Sequence, residues 1–129
     1  MALAALLMGS AVPACAADVL VGFVGLKDDV RYHPEVAYTR IEISPALKPV
    51  EGARLGIEDL KIVTEAANVN ITLDEYEAAD ANDAIQKVAA MAQAGERFVI
   101  LDLPGDIVAQ VAEATKDLPI TLVNATAPQ

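Results

Sequence analysis

Three carboxylates are the side chains in this sequence best placed to do chemistry. Asp28 and Asp29 follow the apolar run at residues 19–24, and Asp102 follows the apolar run at residues 98–101. If both runs are parallel strands, their carboxyl ends meet at one edge of a sheet. Three carboxylates there could bind Mg²⁺ and present Asp102 as a nucleophile. One hypothesis is therefore a metal-dependent phosphoacceptor site.

The segment at residues 101–105, Leu-Asp-Leu-Pro-Gly, resembles the phosphoacceptor loop of response-regulator receiver domains. Two features count against that resemblance. In receivers the acidic pair ends the strand and a helix begins at once, whereas here Leu26 and Lys27 come first and a loop of about twenty residues follows. A chain with an export signal, described below, would also lack a kinase partner. The receiver domain remains the alternative hypothesis.

Other motifs for catalysis, metals or cofactors are missing from the sequence. His33 is the only histidine, so the chain cannot form a multi-histidine metal site. Gly22 and Gly25 lack the spacing of a phosphate-binding loop, and the acidic run at residues 74–83 fits no calcium loop. A formal charge of -10 and scattered basic residues argue against nucleic acid as a partner. We expect no enzyme activity, no cofactor and no metal.

The amino-terminal segment predicts export. Residues 2–17 carry no charge and include Ala14-Cys15-Ala16, a pattern that signal peptidase cleaves. We expect residues 1–16 to be a signal peptide and residues 17–129 to be the mature domain in a bacterial periplasm. No Lys or Arg precedes the apolar run, so the true start is expected upstream of Met1. The less favoured alternative is a lipoprotein modified at Cys15, where Pro13 departs from the usual lipobox.

Apolar runs and helical patterns alternate along the mature chain, which predicts an α/β fold with a parallel sheet. The runs at residues 19–24, 98–101 and 120–123 are continuously apolar, so we expect them to be central strands. Residues 69–74 alternate apolar and polar side chains, which predicts an edge strand. Right-handed crossovers then give a doubly wound, mostly parallel sheet in the order 2-1-3-4, with helices on both faces.

Three amphipathic helices are predicted between the strands. Pro49 precedes the first, Asp80 or Asn82 caps the second before its end at Gly95, and Asp106 caps the third. The predicted buried faces are Ala53, Ile57, Leu60, Thr64 and Ala67 in the first helix, Ile85, Val88, Ala89 and Ala92 in the second, and Val108, Val111, Ala112 and Thr115 in the third. Because a doubly wound sheet normally continues beyond its fourth strand, we expect an incomplete lobe.

Several segments together resemble the amino-terminal lobe of type I periplasmic solute-binding proteins of the branched-chain amino acid class. They are the strand at residues 19–24, the helix start at residues 52–59, and the order of elements from residues 71–73 to 98–101. The segment Lys27-Asp28-Asp29-x-Arg31-Tyr32, with Tyr38, resembles the branch that accompanies PQQ-dependent alcohol oxidation systems. The resemblance covers nearly all of the mature chain.

This resemblance implies a two-lobed receptor that closes on a small molecule and delivers it to an ABC permease in the inner membrane. The carboxyl-terminal lobe would be missing from this chain. In the family, loops after the first, third and fourth strands contact the ligand, and residues are carried over for the last two. The matching positions here are Asp102, Leu103, Pro104, Gly105, Asn124, Ala125 and Thr126.

The loop after the third strand departs from the family pattern. Members that bind amino acids have small hydroxyl residues there, whose hydroxyls and backbone N–H groups bind the carboxylate. This chain has Leu103-Pro104-Gly105 instead, and Pro104 has no N–H to donate. An inward-facing Asp102 would also repel an anion. We therefore expect a neutral or cationic ligand, or a degenerate site.

Overall fold

A sheet of four parallel strands forms the centre of the fold, with the spatial order β2-β1-β3-β4. The computed structural model describes residues 16–32 and 48–126. The strands are β1 (Ala17–Leu26), β2 (Val69–Ala78), β3 (Phe98–Asp102) and β4 (Thr121–Asn124), and the α-helices are α1 (Pro49–Ala66), α2 (Ala81–Gln93) and α3 (Gly105–Thr115). The predicted α/β class and strand order are confirmed. Cys15, His33 and Tyr38 lie outside the described residues, as does nearly all of the predicted signal peptide.

The two faces of the sheet pack against different helices. Asp74 and Tyr76 of β2 form hydrogen bonds with α2, through Lys87 and Asp83 respectively. Glu75, one position along β2, binds Arg54 of α1. Because neighbouring side chains on a strand point to opposite faces, α1 and α2 lie on opposite sides of the sheet.

The core lies between the sheet and the α2–α3 layer. Its largest fully buried side chains come from the strands β1 and β3, from the loop after β3, and from the helices α2 and α3. They are Val24, Val88, Met91, Val99, Leu101, Leu103 and Val111. The periodic spacing of Val88 and Ala92 in α2, and of Val111 and Thr115 in α3, correctly predicts buried residues of these helices.

Four details of the predicted elements are wrong. β4 lies at an edge of the described sheet, because no strand within the described ranges pairs on its far side, and Val123 is 45% exposed. Leu60 and Ala67 of the predicted α1 face are exposed, since α1 packs mainly on the edge strand β2. Ala112 of α3 is also exposed. The N-cap of α3 is Pro104 rather than Asp106, which lies within the first turn.

The ends of α2 follow directly from its sequence. Asp80 is the N-cap, and its carboxylate accepts a hydrogen bond of 2.9 Å from the Asp83 N–H. At the other end Gly95 has a φ of 95°, a conformation that favours glycine. The Gly95 N–H donates to Ala92 and the Glu96 N–H donates to Met91, which together form a Schellman motif.

The Schellman turn directs the side chain of Glu96 into the protein, where it is only 3% exposed. A Cβ at Gly22 on β1 would lie 2.7 Å from Glu96 Oε2 and 2.6 Å from Met91 Sδ, so a larger residue there would displace the ends of both side chains. Glu96 Oε2 is the single buried side-chain oxygen or nitrogen of the described residues that has no hydrogen-bond partner. Burial raises the pKa of the Glu96 carboxyl, and the neighbouring carboxylate of Asp74 raises it further.

We expect Glu96→Gln to increase the free energy of unfolding near neutral pH by roughly 0.5–1.5 kcal/mol, because the amide removes a poorly solvated charge. A carboxyl with a raised pKa stabilises the fold at low pH and loses that contribution as pH rises through its folded pKa. The difference in unfolding free energy between Glu96→Gln and wild type should therefore vanish in acid. Urea unfolding across pH measures it, with the exposed Glu113→Gln as control; equal effects of both variants would contradict this account.

The sheet face beneath α1 is only partly covered. Phe98 of β3 and Val123 of β4 lie on this face and are 48% and 45% exposed, and Ile100 between them is half-buried. On the opposite face, Val99 and Leu101 of β3 are fully buried. Within the described residues, an apolar strip over β3 and β4 therefore faces outward.

Candidate functional site

The order of the strands places a crevice between the carboxyl ends of β1 and β3. The chain moves from β1 to one side to form β2 and then crosses to the other side to form β3. Gly25 of β1 is the pairing partner of Asp102 of β3, so the loops after these two strands begin side by side. Open α/β sheets bind ligands at such a reversal point.

Arg31 joins the loops after β1, β3 and β4 at this crevice. Its Nε donates to both oxygens of Asp29 at 3.1 and 2.9 Å, and its Nη2 donates to Asp29 Oδ2 at 2.5 Å. The same Nη2 donates to the carbonyl and Oδ1 of Asp102 at 3.0 and 3.1 Å. Nη1 donates to Thr126 Oγ1 at 2.9 Å. One guanidinium thus fixes three loops relative to each other.

Asp102 is the acceptor at the centre of this network. Besides Arg31, its Oδ1 accepts from the Tyr32 hydroxyl and from Thr126 Oγ1, both at 2.7 Å. The side chains of Asp29 and Asp102 are 2% and 5% exposed, whereas that of Arg31 is 28% exposed. The two carboxylates are therefore buried, and the cation that compensates them is at the surface.

Asp29 and Arg31 both stay charged at neutral pH. Hydrogen bonds from Arg31 hold the pKa of the Asp29 carboxyl below its usual value, and Asp29 in turn raises the pKa of the guanidinium. Asp29 therefore stabilises the fold at neutral pH, and this contribution is lost as pH falls through its lowered pKa. A preformed charge network needs little reorganisation when a ligand arrives.

We expect the Tyr32 phenol to titrate well above the ordinary range of a tyrosine. Burial raises the pKa of Tyr32 to about 12, and the hydrogen bond to Asp102 and the charge of that carboxylate act in the same direction. Tyrosinate absorbance after a rapid pH jump measures it. Tyr32→Phe should remove the component titrating near pH 12, while Tyr76→Phe should leave it; loss of a component near pH 10 on Tyr32→Phe would contradict the burial of this hydroxyl.

A cavity of about 360 Å³ adjoins the network on the α1 side of the sheet. Phe23 of β1 lines it, together with Val50 and Arg54 from the first turns of α1. Three further charged residues line the cavity: Lys48, Glu75 and Glu77. Tyr32 and Asp102 also line it and connect it to the crevice. The volume lies within the range of small-molecule pockets.

The structure divides the predicted ligand-contacting residues into four groups. Asp102 and Thr126 come together in the Arg31 network. Pro104 is the N-cap of α3 and Gly105 is its first residue, and Asn124 and Ala125 lie exposed where β4 ends. The side chain of Leu103 is fully buried in the core, so its prediction as a ligand contact is corrected: apolar burial directs it away from the crevice.

Sequence reasoning missed Arg31 and Tyr32 as residues of the site, and it also missed Lys48 and Arg54. A signal for Arg31 was present: an arginine two residues after an aspartate, just past a buried strand, can form a paired fork with that carboxylate. Its long-range contacts to Asp102 and Thr126 depend on the tertiary fold.

The hypothetical Mg²⁺ site has an unfavourable geometry. The Arg31 guanidinium lies between Asp29 and Asp102, and Asp28 is exposed in a turn with a φ of 54°. Across residues 16–32 and 48–126, no group of three His, Cys, Asp or Glu side chains could hold a metal ion. A phosphoacceptor mechanism would require Arg31 to move away.

Comparison of this chain with models of known protein families and with curated proteins gives no match. In the described part of the chain, no helix has both the length and the apolar character to cross a membrane.

Proposed function

We propose that this chain is the amino-terminal lobe of a type I periplasmic solute-binding protein, which captures a small molecule for an ABC permease in the inner membrane. The observation that carries the proposal is the ligand crevice at the strand-order reversal, where Arg31 joins the loops after β1, β3 and β4. A second lobe would close over the same edge. The cavity beside the crevice supplies room for a solute.

The charge network bears on the kind of solute. Asp102, which would repel an anion if unpaired, shares the Arg31 guanidinium with Asp29 and accepts hydrogen bonds from Tyr32 and Thr126. Its role is then to position loops rather than to bind a cation directly. The narrower proposal, a link to PQQ-dependent alcohol oxidation, rests on the segment at residues 27–32, which contains Asp29, Arg31 and Tyr32 of the network.

A thermal-shift screen tests the proposal. The chain is heated with alcohols, acids, amines and amino acids, and we expect at least one solute to raise the Tm in a concentration-dependent way. Thr126→Val removes the hydroxyl that joins Arg31 and Asp102, and it should weaken that effect. Thr64→Val, at a hydroxyl on α1 outside the site, is the matched control. A panel without any specific shift would overturn solute binding by this lobe.

The receiver-domain alternative has one favourable observation: Asp29, Asp102 and Thr126 converge after β1, β3 and β4. It predicts that acetyl phosphate and Mg²⁺ add a phosphoryl group to Asp102, detectable by mass spectrometry. We expect no such labelling, because Arg31 binds both carboxylates. Labelling that requires Mg²⁺ and is lost in Asp102→Asn would favour the receiver and count against solute capture.

A further inference from the structure

Most of the cavity over β1 and β2 is built from residues other than those that the family resemblance implies as ligand contacts. It is lined by Phe23 and Gly25 of β1, Glu75 and Glu77 of β2, and Lys48 and Val50 at the start of α1, and Asp102 is the one residue that it shares with the implied contacts. The cavity therefore extends the crevice toward β2.

Every charged side chain that lines this cavity has an opposite charge as its partner. Lys48 Nζ lies 3.0 Å from Glu77 Oε1. Arg54 binds Glu75 through two nitrogens, at 2.7 and 2.5 Å. Asp102 is paired with Arg31. An ionic ligand would add a charge for which these pairs leave no unpaired partner, whereas an uncharged ligand leaves the pairing unchanged.

The Lys48–Glu77 pair offers complementary hydrogen-bonding groups. The bond to Glu77 uses one of the three N–H donors of the Lys48 ammonium, and the Glu77 carboxylate has acceptor positions beyond that bond. A hydroxyl group can accept from the ammonium and donate to the carboxylate at the same time. Carbonyl compounds and hydrocarbons cannot do both.

The inner wall of the cavity is apolar. Phe23 is 4% exposed, and Val50 of α1 is half-buried. Gly25 lies beside Asp102 in the sheet and leaves this part of the wall without a side chain. A ligand that reaches the Lys48–Glu77 pair with a hydroxyl group can therefore place a short hydrocarbon portion against Phe23 and Val50.

We infer that this cavity binds an uncharged, hydroxyl-bearing small molecule with a short apolar portion. The inference rests on the proposed function, because it names the solute class that the lobe captures. It assigns Lys48 and Glu77 to the hydroxyl groups, and Phe23 and Val50 to the hydrocarbon portion.

Amide chemical shifts of the isotope-labelled chain test the inference with a matched set of probes: 1,2-hexanediol, 2-hydroxyhexanoate and 1-amino-2-hexanol. These differ in charge but share the same skeleton. The diol should shift the amides of Gly25, Val50 and Glu77, with a Kd about tenfold lower than that of either charged analogue. Charged analogues that bind there as tightly as the diol would overturn the inference.

Two variants locate the effect. A Cβ at Gly25 would make only ordinary contacts of 3.9 Å, so Gly25→Val is expected to fold while its side chain occupies the cavity and abolishes the diol shifts. Lys48→Met should weaken diol binding about tenfold, and Lys116→Met, which breaks a comparable pair with Glu113 elsewhere, should not. Diol shifts that persist in Gly25→Val, with its fold confirmed by its spectrum, would overturn the inference.

The outcomes separate this inference from the proposed function. Solutes that shift the amides of Gly105 and Ala125, but not those of Gly25 and Val50, would leave the solute-binding lobe standing and remove the cavity as its site. Solutes that shift neither group, with no rise in Tm across the panel, would remove both.

Discussion

Arg31→Met should strongly destabilise the chain. The variant leaves two buried carboxylates, Asp29 and Asp102, without their shared cation. Breaking a fully buried ion pair costs several kcal/mol. Because the Arg31 side chain is 28% exposed, we expect a smaller loss, roughly 2–4 kcal/mol at neutral pH by urea unfolding.

The pH dependence of this loss identifies its cause. In wild type the lowered pKa of Asp29 stabilises the fold above the ordinary carboxyl range, and this contribution disappears as pH falls through the lowered value. The difference in unfolding free energy between wild type and Arg31→Met should therefore become smaller in acid. Arg97→Met, at an exposed arginine with a single 3.3 Å bond to the Pro119 carbonyl, is the control. A pH-independent gap, or one equal to the control, would contradict the charge network.

Leu103→Ala should cost roughly 2–5 kcal/mol of unfolding free energy, because it empties part of a fully buried core position. Leu55→Ala makes the same chemical change on α1, where the side chain is 58% exposed, and should change stability by less than about 0.5 kcal/mol. Chemical denaturation of both variants measures the difference.

Solute binding separates a core role from a ligand-contacting role for Leu103. If its side chain only supports the fold, the folded fraction of Leu103→Ala should bind a solute with the wild-type Kd under conditions where most molecules remain folded. A Kd raised tenfold or more without loss of stability would instead place Leu103 at the binding surface.

The sheet order could be predicted from the sequence because several independent patterns agree. Continuous apolar runs marked β1 and β3 as central, alternation marked β2 as an edge, and Asp80 and Gly95 marked the ends of α2. β4 was misjudged because apolar residues show only that a strand suits a covered position. Whether neighbours cover it depends on the remaining structure.

The candidate site was less accessible to sequence reasoning. The family resemblance implied Asp102 and Thr126 as ligand contacts in the loops after β3 and β4, and the structure brings the two side chains within 2.7 Å. Arg31 was missed because its partners Asp102 and Thr126 are far from it in sequence, 71 and 95 positions away. Leu103 was misplaced because a loop position alone does not determine which way a side chain points.

The most direct test of the central claim is amide hydrogen exchange with and without the solute that gives the largest rise in Tm. If the carboxyl edge of the sheet is a solute site, protection should increase in the segments after β1, β3 and β4, around Arg31, Gly105 and Thr126, and remain unchanged at the opposite edge. Increased protection confined to the amino-terminal ends of the strands, or none at any concentration, would contradict the claim.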